Sequence, residues 1–378
     1  MTIVKENSPH LRRKASVTRM MADVLIALAP TLIFSFVVYP IKTLIFYAIS
    51  VSIMVLAEFI YVGLRNMTPA DGQKHSFKER FKYAYKDQHF NQNNVLSACI
   101  TAVIFTLIMP AGAPIYAVII GALVGIIFGK LVFGGLGSNI FNPAVVGMVF
   151  AKLCFGSQYE KYVDTWFYSA PDAAAGPTFL SGGLSSTLDN FVNNMNYYSL
   201  SDMFLGRIPG TLGEVYKITI LVGMVYLLIR RSADWRIMLS YLGTFTFLSL
   251  IVGLSVYGIN NNVNPWLFTL YSLLSGGVLF GAVFMLTDPV TSPINSPSRV
   301  MYGMIAAVFT VFIRFLAALP EGVAFSILIA NMVACVLDHY EWSSPRYTYK
   351  KIIGMVSLVV LPALILFLCI FYGGVYNG

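Results

Sequence analysis

The chain has little charge. Only 11% of its 378 residues are Asp, Glu, Lys or Arg, whereas 57% are hydrophobic. Mean hydropathy is +0.73. Soluble domains carry about 25% charged residues, so a soluble globular fold is excluded and a polytopic membrane protein is expected. Cysteine and histidine are also scarce. Cys99, Cys154, Cys335 and Cys369 form no CxxC pair, and His10, His75, His89 and His339 are as widely scattered. Nothing has metal-ligand spacing. Iron, haem or zinc held by this chain alone is not expected; a cysteine ligand shared with another polypeptide stays open. A cleavable signal peptide is not expected either, because the first 22 residues are polar and basic and the first apolar run leads into further ones.

What is present is a series of apolar runs. They cover about 23–39, 41–64, 94–109, 115–133, 141–156, 213–229, 237–257, 266–287, 303–319, 321–337 and 353–374. Each is near the ~20 residues that cross a ~30 Å hydrocarbon core. Eleven spans with the N-terminus inside put nineteen Lys and Arg on the inner side. These are five in the N-terminal arm, six between Arg65 and Lys86, and Lys130, Arg230, Arg231, Arg236, Arg299, Arg346, Lys350 and Lys351. Only Lys42, Lys152, Lys161, Arg207 and Lys217 fall outside, and Arg314 lies within a span. The net charge of +8 therefore follows the positive-inside rule and does not imply nucleic acid.

The expected organisation is a basic cytoplasmic arm (1–22), a first set of five helices (23–156), an extracytoplasmic loop (157–212), a second set of five (213–337) and an extra C-terminal helix (338–378). An odd number of spans per set inverts the second copy. Inverted repeats usually place a site near the midplane, where broken helices meet. The polar excursion at 65–94 holds Phe77, Phe81 and Tyr85 between lysines. It suits a short amphipathic helix on the inner surface, with an interface for a cytoplasmic partner as the alternative.

One stretch stands out, at 274–293. Its apolar run contains Ser275, Gly276, Gly277 and Gly281 and ends on Thr287, Asp288, Thr291 and Ser292, with Pro289 and Pro293 between them. Glycines let a backbone or a flat ligand come close, and prolines stop a helix. Either tight helix packing followed by a loop or a broken helix lining a cofactor or ion site accounts for it. A matching polar joint lies in the first half. There Gly134, Gly135, Gly137 and Asn139 precede Phe141-Asn142-Pro143-Ala144. Pro143 suits the first turn of a helix and Asn142 its N-cap, so the helix end offers N–H groups to an anion such as a flavin phosphate. An ordinary capped turn explains the same residues.

Ionisable residues inside the spans are few: Asp23, Glu58, Lys130, Asp288 and Arg314. Charge in a membrane is costly and defaults to a functional reading. Asp23, Lys130 and Asp288 are expected near the inner interface, where snorkelling or capping explains them. Glu58 and Arg314 are expected deeper, paired with each other or with another polypeptide; an ion-pathway role for Glu58 is open.

Several motifs occur together: 134–144, Trp235-Arg236-Ile237, Leu274-Ser275-Gly276-Gly277, 286–293, Arg299-Val300-Met301-Tyr302-Gly303 and 320–325. Their combination, over residues about 10 to 340, strongly resembles the RnfD component of the Rnf electron-transport complex. The same features recur more loosely in NqrB, its counterpart in the sodium-pumping NADH:quinone reductase. The resemblance implies a urea-transporter-like fold of two inverted five-helix repeats. It implies a component of an ion-translocating ferredoxin:NAD oxidoreductase that moves Na⁺ or H⁺, in the bacterial cytoplasmic membrane. The partners implied are the other Rnf subunits (A, B, C, E and G), a flavin transferase during maturation and membrane lipid, with no nucleic acid.

The implied cofactor is FMN bound as a phosphoester to a threonine of the outer loop, with a second, non-covalent flavin such as riboflavin open. The first choice is Thr178, in Asp172-Ala173-Ala174-Ala175-Gly176-Pro177-Thr178; the alternative is Thr187. Neither matches the transferase pattern fully: Ala175 and Pro177 depart from it near Thr178, and Thr187 lacks the leading Asp. Loss of the covalent flavin is a third possibility. Physical chemistry alone makes both ordinary loop threonines. The remaining candidate cofactor contacts are Gly134, Gly135, Asn139, Asn142, Ser275, Gly276, Gly277, Thr287 and Asp288. No residue is expected to act as acid, base or nucleophile on a substrate. The eleventh helix departs from the family pattern. The start of the chain, without the longer N-terminal extension of NqrB, puts the expectation on the Rnf side. A channel or transporter of the same fold with no redox role is the competing class.

Overall fold

A computed structural model describes residues 16–66, 76, 78, 90–159, 162, 191, 192, 195, 198–259, 261, 263–317, 322–339 and 344–372. Among these the chain is helical and forms no β-strand; an isolated antiparallel bridge joins Pro110 to Thr211. The fold is that of an all-α polytopic membrane protein.

The first set begins with α1 (Val17–Val38), capped by Ser16 accepting a hydrogen bond from the Arg19 N–H. The expected basic arm is therefore helical from residue 17. Next come α2 (Pro40–Arg65), opened by proline at its first position, α3 (Gln92–Leu107) and α4 (Ile115–Ile126). A π-helical turn, Ile127–Leu131, extends α4. Then α5 (Pro143–Tyr159) is kinked at Gly156, where φ is 44°. A short helix, α6 (Leu200–Leu205), leads into the second set: α7 (Lys217–Arg230), α8 (Trp235–Ile259) and α9 (Pro265–Leu274). After a break, α10 (Val278–Phe280) runs into a second π turn, Gly281–Met285. Then follow α11 (Ser296–Leu316), α12 (Gly322–His339) and α13 (Tyr349–Tyr372).

By length and composition, α1, α2, α8, α11, α12 and α13 can each cross a membrane, and the pair α9 and α10, bent by 62°, makes a seventh if it counts as one span. Eleven apolar runs were expected to span. Every one of them coincides with a helix, but α3, α4 with its π turn, α5 and α7 are shorter than the others. At 1.5 Å per residue the 16 residues of α3 reach about 24 Å, short of a ~30 Å core.

Glycine sets the closest helix contacts. Gly121, Gly125 and Gly129 follow one another at four-residue spacing along α4 and its π turn. A Cβ on Gly125 would lie 2.6 Å from the Pro143 carbonyl oxygen, and one on Gly147 would collide with the Gly121 oxygen. Backbone meets backbone there, which is how helices gain dispersion energy where lipid removes the hydrophobic drive. α2 packs on α3 and α4 in the first set, and α8 on α9 and α11 in the second. The sets meet where α1 lies on α7 and α5 on α12. α13 packs on α8 and α11.

Candidate functional site

Each π turn ends against one of the polar joints. A π turn holds one extra residue in the helical ladder, so the side chains after it are rotated away from their helical register. In α4 this register carries Lys130 inward: it is 2% exposed and donates to Glu58 Oε2 (2.5 Å) and Ser97 Oγ (2.8 Å). A lysine that snorkels would reach water; this one does not. The sequence left Glu58 paired with Arg314 or with another polypeptide; the structure pairs it with Lys130, since α2 packs beside α4 and its π turn.

Beyond the first π turn the chain reverses through Gly134, Gly135 and Gly137, at φ of 119°, 89° and 84°, values that L side chains rarely adopt. The turn is fastened by Arg65, whose guanidinium donates to the Gly134 oxygen (2.6 Å). Asn142 then does two things. Its Oδ1 accepts from the Ala144 N–H (3.1 Å), capping α5, and its Nδ2 donates to the Met285 oxygen at the end of the second π turn (3.4 Å). The amide cap expected from the sequence is thus also a tie between the two sets.

On the opposite side, Thr287 donates back to the Val283 oxygen (2.5 Å). The Asp288 carboxylate accepts from the Val290 N–H and the Thr291 hydroxyl, both at 3.3 Å. Asp288 is also within electrostatic reach of Lys130.

These groups line one cavity of about 370 Å³, within the range of small-ligand sites. Lys130, Ser97, Asn139, Asn142, Thr287 and Asp288 form its polar side. Met20, Met21 and Val24 of α1, Ile100 and Ile104 of α3, Leu227, Val283 and Phe284 form the apolar walls. The wall contributed by α1 is held by Asp23, which accepts from Tyr226, Arg230 and Ser232. Asp23 therefore locks α1 to α7, and is neither a snorkelling nor a capping residue. Thr18 adds a bond to Asn93 on α3 (2.6 Å).

The sequence-derived candidates divide. Asn139, Asn142, Thr287 and Asp288 come together in the cavity. Gly134 and Gly135 do not line it; they shape the turn, while Gly137 and Leu136 reach the lining.

Ser275, Gly276 and Gly277 lie at the far end of α10, roughly 12 Å of helix away at 1.5 Å per residue, in a second buried cluster. There Arg314, fully buried, donates to the Ser272 oxygen (2.8 Å), the Ser275 hydroxyl (3.1 Å) and the Ser275 oxygen (3.3 Å). Lys217 donates to the oxygens of Glu214 (2.5 Å) and Gly276 (3.0 Å). Glu214 sits against Gly277, where a Cβ would collide with its Oε1. The cations satisfy carbonyls freed by the helix break.

Thr178 and Thr187 lie outside the described residues, as do Phe77, Phe81 and Tyr85. Among the described residues no group of three or more His, Cys, Asp or Glu is arranged to hold a metal ion. Sequence reasoning missed Ser97, Lys130 as a cavity residue, the α1 methionines and the Lys217–Glu214 pair. Only the unusual presence of Lys130 in an apolar run signalled any of them.

The architecture is thus that of a polytopic membrane protein in which two polar helix joints, one from each set, close on a shared cavity. The chain belongs to the NQR2, RnfD, RnfE family, whose model matches residues 4–348. It is 37% identical over 220 residues to the B subunit of the Na(+)-translocating NADH-quinone reductase of Chromohalobacter salexigens, covering 57% of this chain and 51% of that protein. The corresponding proteins of Ectopseudomonas mendocina and Pseudoalteromonas atlantica are 36% and 34% identical over 57% of this chain and 52% of theirs. The chain spans about half the length of these relatives.

Proposed function

We propose that this protein is a membrane component of a redox-driven, ion-translocating oxidoreductase complex and that its cavity holds a flavin. The family membership supports the first part. The single observation that carries the second is the cavity itself, walled by apolar side chains and edged by a compact set of donors and acceptors. A flat ring system suits the methionine, isoleucine and phenylalanine walls. The Lys130 ammonium, the Asn139 and Asn142 amides, the Thr287 hydroxyl and the Asp288 carboxylate match the mixed polar edge of an isoalloxazine, so the donor set fits the group. Bound there, a flavin supplies one- and two-electron transfer, and the protein binds it, orients it and keeps water away. A second flavin, FMN esterified to Thr178 or Thr187, remains part of this proposal. So does placement in the cytoplasmic membrane with the N-terminus inside, which rests on the distribution of Lys and Arg.

Within this class the relatives named above favour a sodium-translocating NADH-quinone reductase, with the chain in the NqrB position. The alternative, the RnfD position in a complex acting between ferredoxin and NAD, is favoured by the motif set at 134–144 and 274–303.

Purification of the intact complex from its native membrane separates these readings. NADH-driven quinone reduction supports the first, and ferredoxin-driven NAD reduction the second. Acid extraction of the complex should release non-covalent flavin, and Asn142→Ala with Thr287→Val should lower that yield while the components still co-purify. Unchanged flavin content in that variant would remove the cavity assignment. A fluorescent band at this protein's size on a denaturing gel, lost in Thr178→Ala or in Thr187→Ala, tests the covalent site.

A further inference from the structure

A second concavity, of about 340 Å³, lies on the outside of the helix bundle. Trp235, Arg236, Leu239, Ser240, Gly243 and Thr244 of α8 form one wall, Val300 and Met304 of α11 the other, and Tyr347, just before α13, the upper rim. It shares no lining residue with the flavin cavity. Its shape follows from two glycines. Gly303 has no room for a Cβ, which would collide with the Ser240 hydroxyl and lie 2.8 Å from the Ile237 oxygen. That contact draws α8 and α11 together and makes the floor. Gly243 is the reverse case: a Cβ there would meet nothing within 4 Å. The missing side chain leaves the groove open for a length of about 12 Å along α8, from Arg236 to Thr244 at 1.5 Å per residue.

The two ends of the groove differ in chemistry. The deep end is apolar, with Leu239, Met304 and Gly243. At the shallow end Trp235 and Tyr347, each more than half exposed, have the amphipathic rings that settle at the level of lipid headgroups. Arg236 lies over the Trp235 ring, 5.6 Å from its centroid. Its link to an acid is weak: Asp234 Oδ2 is 3.7 Å from its guanidinium, and that carboxylate is already taken by Arg299, which hydrogen-bonds it directly. Arg346 and Lys350, both exposed, flank Tyr347 in sequence. Among the described residues the shallow end therefore carries the cations Arg236, Arg346 and Lys350, and the Asp234 carboxylate beside Arg236 is taken by Arg299.

We infer that this groove is a binding site for a single anionic glycerophospholipid, with an acyl chain along Leu239, Gly243 and Met304 and the phosphate at Arg236 beneath Trp235 and Tyr347. The charge selects the headgroup, the aromatic rim fixes its depth, and the Gly243 gap admits the chain. A juxtamembrane Arg gives about a fivefold preference for anionic over neutral lipid.

The test uses the assembled complex in phosphatidylcholine vesicles, doped with either phosphatidylglycerol or phosphatidylcholine carrying brominated acyl chains. Trp235 emission is taken as the difference between the complex and its Trp235→Phe variant. Brominated phosphatidylglycerol should quench Trp235 at about one-fifth the mole fraction that phosphatidylcholine needs. Arg236→Gln should make the two lipids quench alike, and Gly243→Leu, which fills the gap, should weaken quenching by both. Equal quenching by both lipids in the unsubstituted complex would overturn the proposal. So would quenching that Gly243→Leu leaves unchanged, or Trp235 shielded from every lipid, which would mean that a neighbouring protein covers the groove. None of these variants touches the flavin cavity, so flavin content separates failure of this proposal from failure of that assignment.

Discussion

The two ends of the segment formed by α10 and its π turn make an instructive pair. Both carry glycine, serine or threonine and buried ions, and from the sequence both read as places where a helix stops to hold something. The structure uses them differently. At the Ser275–Gly277 end the freed carbonyls are met by Arg314 and Lys217, which repair the break. At the Thr287–Asp288 end a facing joint from the other set stands opposite, and the polar groups edge a cavity. A broken helix is thus a site only where the repair leaves space and donors over. Intramembrane charge alone does not distinguish the two.

The largest effect expected on this comparison comes from the Lys130–Glu58 pair. Removing one member of a buried pair costs about 3–5 kcal/mol, while replacing both with apolar side chains is often neutral. Lys130→Met should therefore lower the thermal midpoint of the detergent-solubilised protein sharply, and adding Glu58→Leu should restore most of it. If the single and double variants melt alike, the pair does not hold the first polar joint together.

Next is the sealed end. Arg314→Met leaves the Ser275 carbonyl without its guanidinium donor, at a cost of about 1–3 kcal/mol for that buried group, while the Ser272 carbonyl keeps the Ser275 hydroxyl. Thermal unfolding should register that loss while flavin content per folded molecule stays constant. Loss of flavin from correctly folded Arg314→Met would show that the two ends are coupled and that the distinction drawn above is wrong.

The smallest stability effect, with the most specific readout, belongs to Asn142. Asn142→Ala removes a cap worth about 1 kcal/mol and the tie to Met285. Asn142→Asp keeps the cap acceptor but cannot donate to the Met285 oxygen. Comparing the two by thermal melting and flavin retention separates capping from the tie between the sets. The Asp variant should keep the cap's share of stability and lose the tie; an Asp variant that matches the unsubstituted protein in both readouts would assign the residue to capping alone.

The sequence by itself determined the class of protein. The scarcity of charge and the repeated apolar runs leave the backbone no stable state in lipid except helices. It also marked one helix start, because Asn142 with Pro143 carries its capping chemistry locally. Asn139, Asn142, Thr287 and Asp288 were legible as unusual for the same reason: polar groups next to proline and glycine in an apolar setting. Only the tertiary structure decided which of these groups meet. Two π turns set the register that turns Lys130 inward and brings the Met285 oxygen to Asn142, and Gly121, Gly125 and Gly147, where no Cβ fits, fix how closely α4 and α5 approach. Those are properties of packed helices far apart in the chain. No local pattern distinguishes a π turn from an α turn, or the ion that lines a cavity from the ion that closes a break.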